Sequence, residues 1–149
     1  MADLLLTLHI LGAAAWVGGS ILQGFVGPRL ERSGGEAWLA WARAQSVTGR
    51  FYEIAAAVVL LTGIGLVLVR DEYDWSDAFV SVGLAVVVVT MAIAGVVHGP
   101  AGRRIQTALE TGDDETARAE SKREGIWATV TVVLLIVTVV LMVLKTGAG

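Results

Sequence analysis

Four long apolar stretches alternate with the charged residues of this 149-residue chain. They cover residues 4–26, 51–69, 78–97 and 126–144. A helix needs about 20 apolar residues to cross the hydrocarbon layer of a bilayer, and each stretch is close to that length. Isolated strands would leave unpaired backbone groups in lipid. The sequence therefore predicts an all-α integral membrane protein, with one four-helix transmembrane domain over residues 1–149.

Composition agrees with this class and removes several kinds of site. The chain is 55% hydrophobic and only 17% charged, with a mean hydropathy of +0.70. The first stretch lacks a basic leader and is too long for a signal-peptide core, so we expect it to remain in the mature protein. Cysteine is absent, which excludes disulfides, iron–sulfur clusters, thiolate nucleophiles and Cys-ligated zinc. His9 and His98 are the only imidazole ligands.

The basic residues predict the orientation in the membrane. Only Arg70 and Lys145 lie on one side of the predicted spans, whereas the first and third connections hold Arg29, Arg32, Arg43, Arg50, Arg103, Arg104, Arg118, Lys122 and Arg123. The positive-inside rule then places loops one and three in the cytoplasm and both termini outside the cytoplasm. We expect a multi-pass protein of the cell (inner) membrane, folded as an antiparallel up-down bundle.

The two basic connections carry weaker patterns. Trp38 and Trp41 share one face of the segment 36–43, which predicts a short helix lying at the lipid headgroups. The connection 99–125 alternates positive and negative charges, and it predicts a water-facing helix broken around residues 111–113. Balanced charge without interleaved aromatic residues argues against a nucleic-acid partner.

One polar stripe lies within the first apolar stretch. His9, Gly12, Trp16, Gly19 and Gln23 follow one another at helical spacing, so they share a helix face. A Trp in the middle of a span is outside the interfacial aromatic belt, which predicts that this face points into the bundle. Two interpretations stay open: close helix packing with His9 bonded to a neighbouring carbonyl, or a slot for a flat cofactor with His9 as axial metal ligand of a haem iron.

His9 and His98 cannot share a metal within one chain. His9 lies about 8 Å from the outer end of its helix, whereas His98 ends the third stretch at the opposite face. A single-His haem, a second ligand other than His, or two His9 residues meeting in a homodimer remain as alternatives. At the cytoplasmic side, Arg50, Glu53 and His98 can form either an ion cluster that fixes helix register or a polar relay.

The first stretch also resembles known families. The segment 8–19, Leu-His-Ile-Leu-Gly-Ala-Ala-Ala-Trp-Val-Gly-Gly, followed by Gly-Pro-Arg-Leu at 27–30, resembles the opening of HemJ-type protoporphyrinogen oxidases and of CopD-type copper-resistance membrane domains. Arg50 and the sequence Leu61-Thr62-Gly63 add a second likeness. Beyond these two helices the resemblance consists of helix number and length, as in an uncharacterised four-helix branch of the same grouping.

The resemblance implies a haem b bound by His9, with Gly12, Trp16 and Gly19 beside it. HemJ-type proteins also carry a Lys early in the third helix, and the stretch 79–89 of this chain has none. The spacing between Gly19 and Pro28 is about one helical turn longer than in those enzymes. The resemblance thus implies a haem pocket and leaves porphyrinogen oxidation, and enzyme activity altogether, open.

Three functions follow as expectations. The first is an iron-containing haem b protein of the membrane that serves in electron transfer, haem or gas sensing, or porphyrin chemistry. The second is a copper- or ion-handling module that uses Glu53 and His98. The third is a non-catalytic subunit that packs in the bilayer against itself, as a homodimer, or against a larger membrane complex.

Overall fold

The computed structural model describes residues 1–146, and its regular elements there are all helices. Helix α1 spans Ala2–Ser33, α2 Gly35–Val69, α3 Ala78–Ile93, α4 Gly99–Glu110 and α5 Asp114–Thr146. A π-helical segment, Ala94–His98, joins α3 to α4. Within the described part of the chain, four helical stretches (2–33, 35–69, 78–110 and 114–144) are long and apolar enough to cross a membrane. This confirms the all-α class and the four candidate spans.

The helices are longer than the predicted spans. Helices α1 and α2 contain 32 and 35 residues, which corresponds to about 50 Å against a hydrocarbon layer of about 30 Å. The extra turns include most of the residues that were expected to form loops. At Pro100 the helix does not end: the π-helical segment comes just before this residue, whose missing N–H interrupts the ordinary bonding pattern.

The segment 36–43 does not form the separate short helix that the sequence predicted. This segment forms the first turns of α2, and Trp38 is only 3% exposed. Its ring packs with Ala108 of α4 and Ala117 of α5, and the Arg118 guanidinium lies 5.5 Å from the ring centroid. Two other helices therefore cover this indole, where the sequence predicted contact with lipid headgroups. The charged segments 99–110 and 114–125 therefore bury small apolar faces as well as presenting charge to water.

Two tight connections depend on glycine. Gly34 alone links α1 to α2, with φ of 65°, and its N–H bonds to the carbonyls of Leu30 and Glu31. Gly112, with φ of 75°, lies in the turn between α4 and α5. Both angles fall in the left-handed region that residues with a Cβ adopt at a cost. The predicted break around residues 111–113 is thus confirmed.

Two buried clusters hold the helices together. A central cluster lies within the apolar stretches and consists of Trp16, Ala55, Ala56, Val59, Val87 and Leu135. An end cluster contains Trp38, Ala108 and Ala117. Around the central cluster, exposed Leu, Val, Ile and Phe side chains cover the outside of the helices. Such a surface requires an apolar solvent, as a lipid bilayer provides.

Candidate functional site: the His9 region

The stripe predicted on α1 faces the second helix. His9 contacts Val59 and Thr62. At the other end of the stripe, the amide nitrogen of Gln23 donates a hydrogen bond of 2.9 Å to the side-chain oxygen of Gln45 on α2. Trp16 is 6% exposed within the central cluster. The mid-span Trp therefore marks the buried face, as expected from its position outside the aromatic belt.

Glycines on this stripe allow α2 to approach closely. A Cβ placed on Gly12 would lie 3.1 Å from a methyl carbon of Val59, and one on Gly19 would lie 2.6 Å from the ring of Tyr52. Side chains of α2 therefore occupy the space next to these two glycines. In this arrangement Gly12 and Gly19 serve helix packing, and room for a flat group has to come from another side of His9.

The hydrogen bonds of His9 define its proton position. Nδ1 lies 3.0 Å from the carbonyl oxygen of Val59 and 3.1 Å from the hydroxyl oxygen of Thr62. A carbonyl oxygen can only accept, and the Thr62 hydroxyl donates to the carbonyl of Val58 one turn earlier. Nδ1 must therefore carry the proton. Nε2 then holds the lone pair and has no hydrogen-bond partner among the described residues, and an unprotonated imidazole nitrogen is the form that ligates metals.

The ring of His9 also borders a small apolar cavity at the centre of the bundle. Its volume is about 30 Å³, and residues of α1, α2, α3 and α5 line it: His9, Ala13, Trp16, Val17, Val59, Val86, Val87, Leu135, Thr138, Val139 and Met142. Met142 approaches Gly83 of α3 closely, with its methyl carbon 2.7 Å from where a Cβ on Gly83 would lie.

The cavity satisfies part of what a haem requires. The donor chemistry fits, because Nε2 is unprotonated and the lining is aliphatic and aromatic. The volume does not fit, because cofactor pockets measure roughly 300–1,000 Å³. Binding would require α3 and α5 side chains to move apart from α1. The α1–α2 contact is less able to open, since the His9–Val59 hydrogen bond and the Gly12 and Gly19 contacts hold it together.

His98 forms a second polar site near the end of the third apolar stretch. Its Nδ1 lies 2.9 Å from a carboxylate oxygen of Glu124, and its Nε2 lies 3.3 Å from the hydroxyl oxygen of Thr131. Thr131 is 8% exposed, so this contact lies inside the bundle. His98 ends the π-helical segment, a type of turn that is enriched at functional sites.

The expected grouping of Arg50, Glu53 and His98 does not assemble in the described residues. Glu53 and Arg50 are both exposed, and His98 is paired with Glu124 of α5 instead. The reason lies in helix geometry: Tyr52 turns its ring toward Gly19, and the next residue on a helix points about 100° away. Glu53 is thereby directed away from α1.

Sequence reasoning missed three participants in these sites. The acceptor at Val59 is a backbone carbonyl, which no side-chain pattern reveals. Thr62 could have been found from the sequence, because it belongs to the Leu61-Thr62-Gly63 likeness. Gly63 of the same likeness faces the His9 ring: a Cβ placed on it would lie 3.2 Å from Cε1 of His9. Glu124 was seen only as part of a charged surface. Across the described residues no group of three or more His, Asp or Glu side chains could hold a metal ion.

Comparison with known proteins adds no relative. No family model matches the chain, and neither the curated proteins nor the solved structures contain a match to it.

Proposed function

We propose that this chain is an integral membrane protein that binds haem b, with Nε2 of His9 as an axial ligand of the iron. The observation that carries the proposal is the position of His9: its Nδ1 donates to the Val59 carbonyl, and its ring borders an apolar cavity lined by α1, α2, α3 and α5. A metal-binding His in proteins commonly donates its other ring N–H to a carbonyl or carboxylate, which fixes the tautomer and the ring orientation.

The surroundings of His9 support an apolar cofactor. Trp16, Val87 and Leu135 supply aromatic and aliphatic surface beside the ring. The polar side chains there are Thr62, which His9 contacts, and Thr138, which lines the cavity. Haem b held there would supply one-electron redox chemistry or gas binding. Residues of α3 and α5 would have to separate from α1 to admit it, because the cavity of about 30 Å³ is smaller than the cofactor.

The proposal includes an orientation. Contacts between α1 and α2 pair early residues of one with late residues of the other: His9 with Thr62, Gly19 with Tyr52 and Gln23 with Gln45. This pairing supports an antiparallel up-down bundle. The basic residues of the first and third connections support cytoplasmic loops there and termini on the opposite side of the inner membrane.

A haem titration with two matched variants tests the binding site. Purified protein in detergent should take up one haem per chain, and His9→Ala should lose this uptake. His98→Ala is the control, because it removes the other imidazole of the chain while leaving the His9 region intact. Equal uptake by wild type and His9→Ala would rule out His9 as the ligand, and equal loss in both variants would show that stability rather than ligation was disturbed.

A second candidate function rests on the His98–Glu124 pair. We propose, as the alternative, an ion-handling module in which this pair exchanges protons at one end of the bundle. Copper is a poorer candidate because the described residues contain no group of three acidic or imidazole ligands. Ion uptake into vesicles should fall in His98→Ala and Glu124→Gln, and it should be unchanged in the exposed control Glu53→Gln. Unchanged uptake in all three removes this function.

The third candidate is a structural membrane subunit. The broad apolar surfaces of α3 and α5 can face a second copy or a larger membrane complex as readily as lipid. A homodimer or larger assembly should persist on size-exclusion chromatography with light scattering in mild detergent. This function predicts a colourless protein even after haem supplementation.

A further inference from the structure

A groove on the charged end of the bundle has the features of a binding site and lies apart from His9. It runs along one face of α4 to the start of α5, with an open volume of about 560 Å³. Its lining residues are Pro100, Arg103, Arg104, Thr107, Ala108, Thr111, Asp113 and Thr116. The two Arg side chains begin one to two turns beyond the third apolar stretch, which places them about 9 Å from its end, at headgroup depth.

Three donors in this groove are incompletely used by the protein. Arg103 is exposed, and no hydrogen bond or ion pair to its guanidinium is present among the described residues. Arg104 makes one loose ion pair, 3.6 Å from Glu120, and its side chain is 59% exposed. Thr107 lies one turn after Arg103, and its hydroxyl has no partner in the described part of the chain.

Other hydroxyls and cations nearby are occupied. Thr111 bonds back to the carbonyls of Thr107 and Ala108, as most Ser and Thr side chains in helices do. Arg43 pairs with Glu110, and Arg118 covers Trp38. The Arg103, Arg104 and Thr107 donors therefore differ from their neighbours in having bonding capacity left for a ligand.

Among the residues that line the groove, Asp113 at the far end is the acidic one, and Glu120 pairs with Arg104 from outside this lining. The Thr116 hydroxyl and backbone N–H bond to Asp113 and lower the pKa of that carboxyl, which caps the start of α5. At the end near Pro100, the charged residues that line the groove are Arg103 and Arg104. An anion would therefore bind at the membrane-proximal end.

We propose that Arg103, Arg104 and Thr107 bind the phosphate of an anionic phospholipid headgroup. Guanidinium groups bind phosphate oxygens through paired N–H donors, and a hydroxyl adds a third bond. Basic pockets beside transmembrane helices on the cytoplasmic side are typical binding sites for such headgroups. A lipid presents its phosphate at the depth of these side chains, whereas a soluble phosphate ester has no apolar chains to place along α3 and α4.

Native mass spectrometry of the full chain with phosphatidylglycerol tests the site. The double variant Arg103→Gln/Arg104→Gln should retain at least about tenfold less phosphatidylglycerol than wild type. Thr107→Ala should retain less by a smaller factor. The control Arg32→Gln/Lys122→Gln removes the same charge from exposed positions outside the groove and should stay within about twofold of wild type. Circular dichroism checks that all variants are folded.

Two further arms identify the source of the phosphate. Phosphatidylcholine, which has no net charge, should be retained weakly by wild type and by the double variant alike. Glycerol 1-phosphate should fail to displace phosphatidylglycerol. An equal loss in the control double variant would overturn the proposal in favour of diffuse charge. Binding of glycerol 1-phosphate without retention of the lipid would overturn the assignment to a lipid.

Discussion

The Nδ1 atom of His9 lies 3.0 Å from the carbonyl oxygen of Val59, so an imidazole of α1 bonds directly to the backbone of α2. The bond requires close contact between the two helices, and Gly12 and Gly19 provide it by leaving room for Val59 and Tyr52. It also determines which ring nitrogen is free. The packing of α1 against α2 and the chemistry available at His9 are thus two consequences of one arrangement.

Replacing Gly19 tests the helix contact. In Gly19→Ala the added methyl would lie 2.6 Å from the Tyr52 ring, so we expect a loss of about 1–3 kcal/mol in the free energy of unfolding. The neighbouring Gly18→Ala is the matched control, because no atom lies within 4 Å of its built Cβ. Its stability should be unchanged or slightly higher. Chemical unfolding in detergent measures both, and similar values for the two variants would show that α2 does not pack on this face.

Replacing Trp38 tests the end cluster. Trp38 is 3% exposed between α4 and α5, so Trp38→Ala should lower the free energy of unfolding by about 3–5 kcal/mol. Limited proteolysis should then cut the segment 99–125, which relies on that ring for its buried contacts. Trp75→Ala is the control, because this indole is 48% exposed. If Trp38→Ala is as resistant to protease as Trp75→Ala, the segment is held by other contacts.

The sequence predicted some of these relationships and missed others for physical reasons. The α1 stripe was predictable because helical periodicity and a mid-span Trp both depend only on local sequence. The partner of His98 was not, because Glu53 and Glu124 are both acidic residues near span ends, and only the packing of α5 beside the π-helical segment selects Glu124. Trp38 was assigned to the headgroups because an amphipathic segment next to a span looks the same whether lipid or protein covers it.

The orientation of the bundle can be measured without removing any native cysteine, since the chain has none. We predict that Glu36→Cys and Thr111→Cys react with a membrane-impermeant thiol reagent only after the cytoplasmic face is opened. Asp74→Cys, in the short connection between α2 and α3, should react in intact cells. The reverse labelling pattern would invert the proposed topology. Labelling of Thr111→Cys and Asp74→Cys from the same side would contradict the single crossing between them.

Met142 lines the same cavity as His9 and brings a thioether sulfur to it. A thioether is one of the groups that hold haem iron in proteins, so Met142 would be the candidate for a second contact to haem bound there. Met142→Leu keeps the volume and removes the sulfur. We expect haem-loaded Met142→Leu to bind one haem with a Soret band shifted from that of wild type. The control Met91→Leu alters a methionine that does not line the cavity, and its spectrum should match wild type. An unchanged spectrum in Met142→Leu would show that this sulfur does not contact the iron.

The optical absorption spectrum of the protein purified from haem-supplemented cells tests the central claim most directly. Ligation of haem b by Nε2 of His9 predicts a Soret band in wild type and in His98→Ala, and its loss in His9→Ala. The ratio of haem to protein should approach one in the two coloured preparations. A colourless wild-type protein, or a Soret band that persists in His9→Ala, would contradict the account.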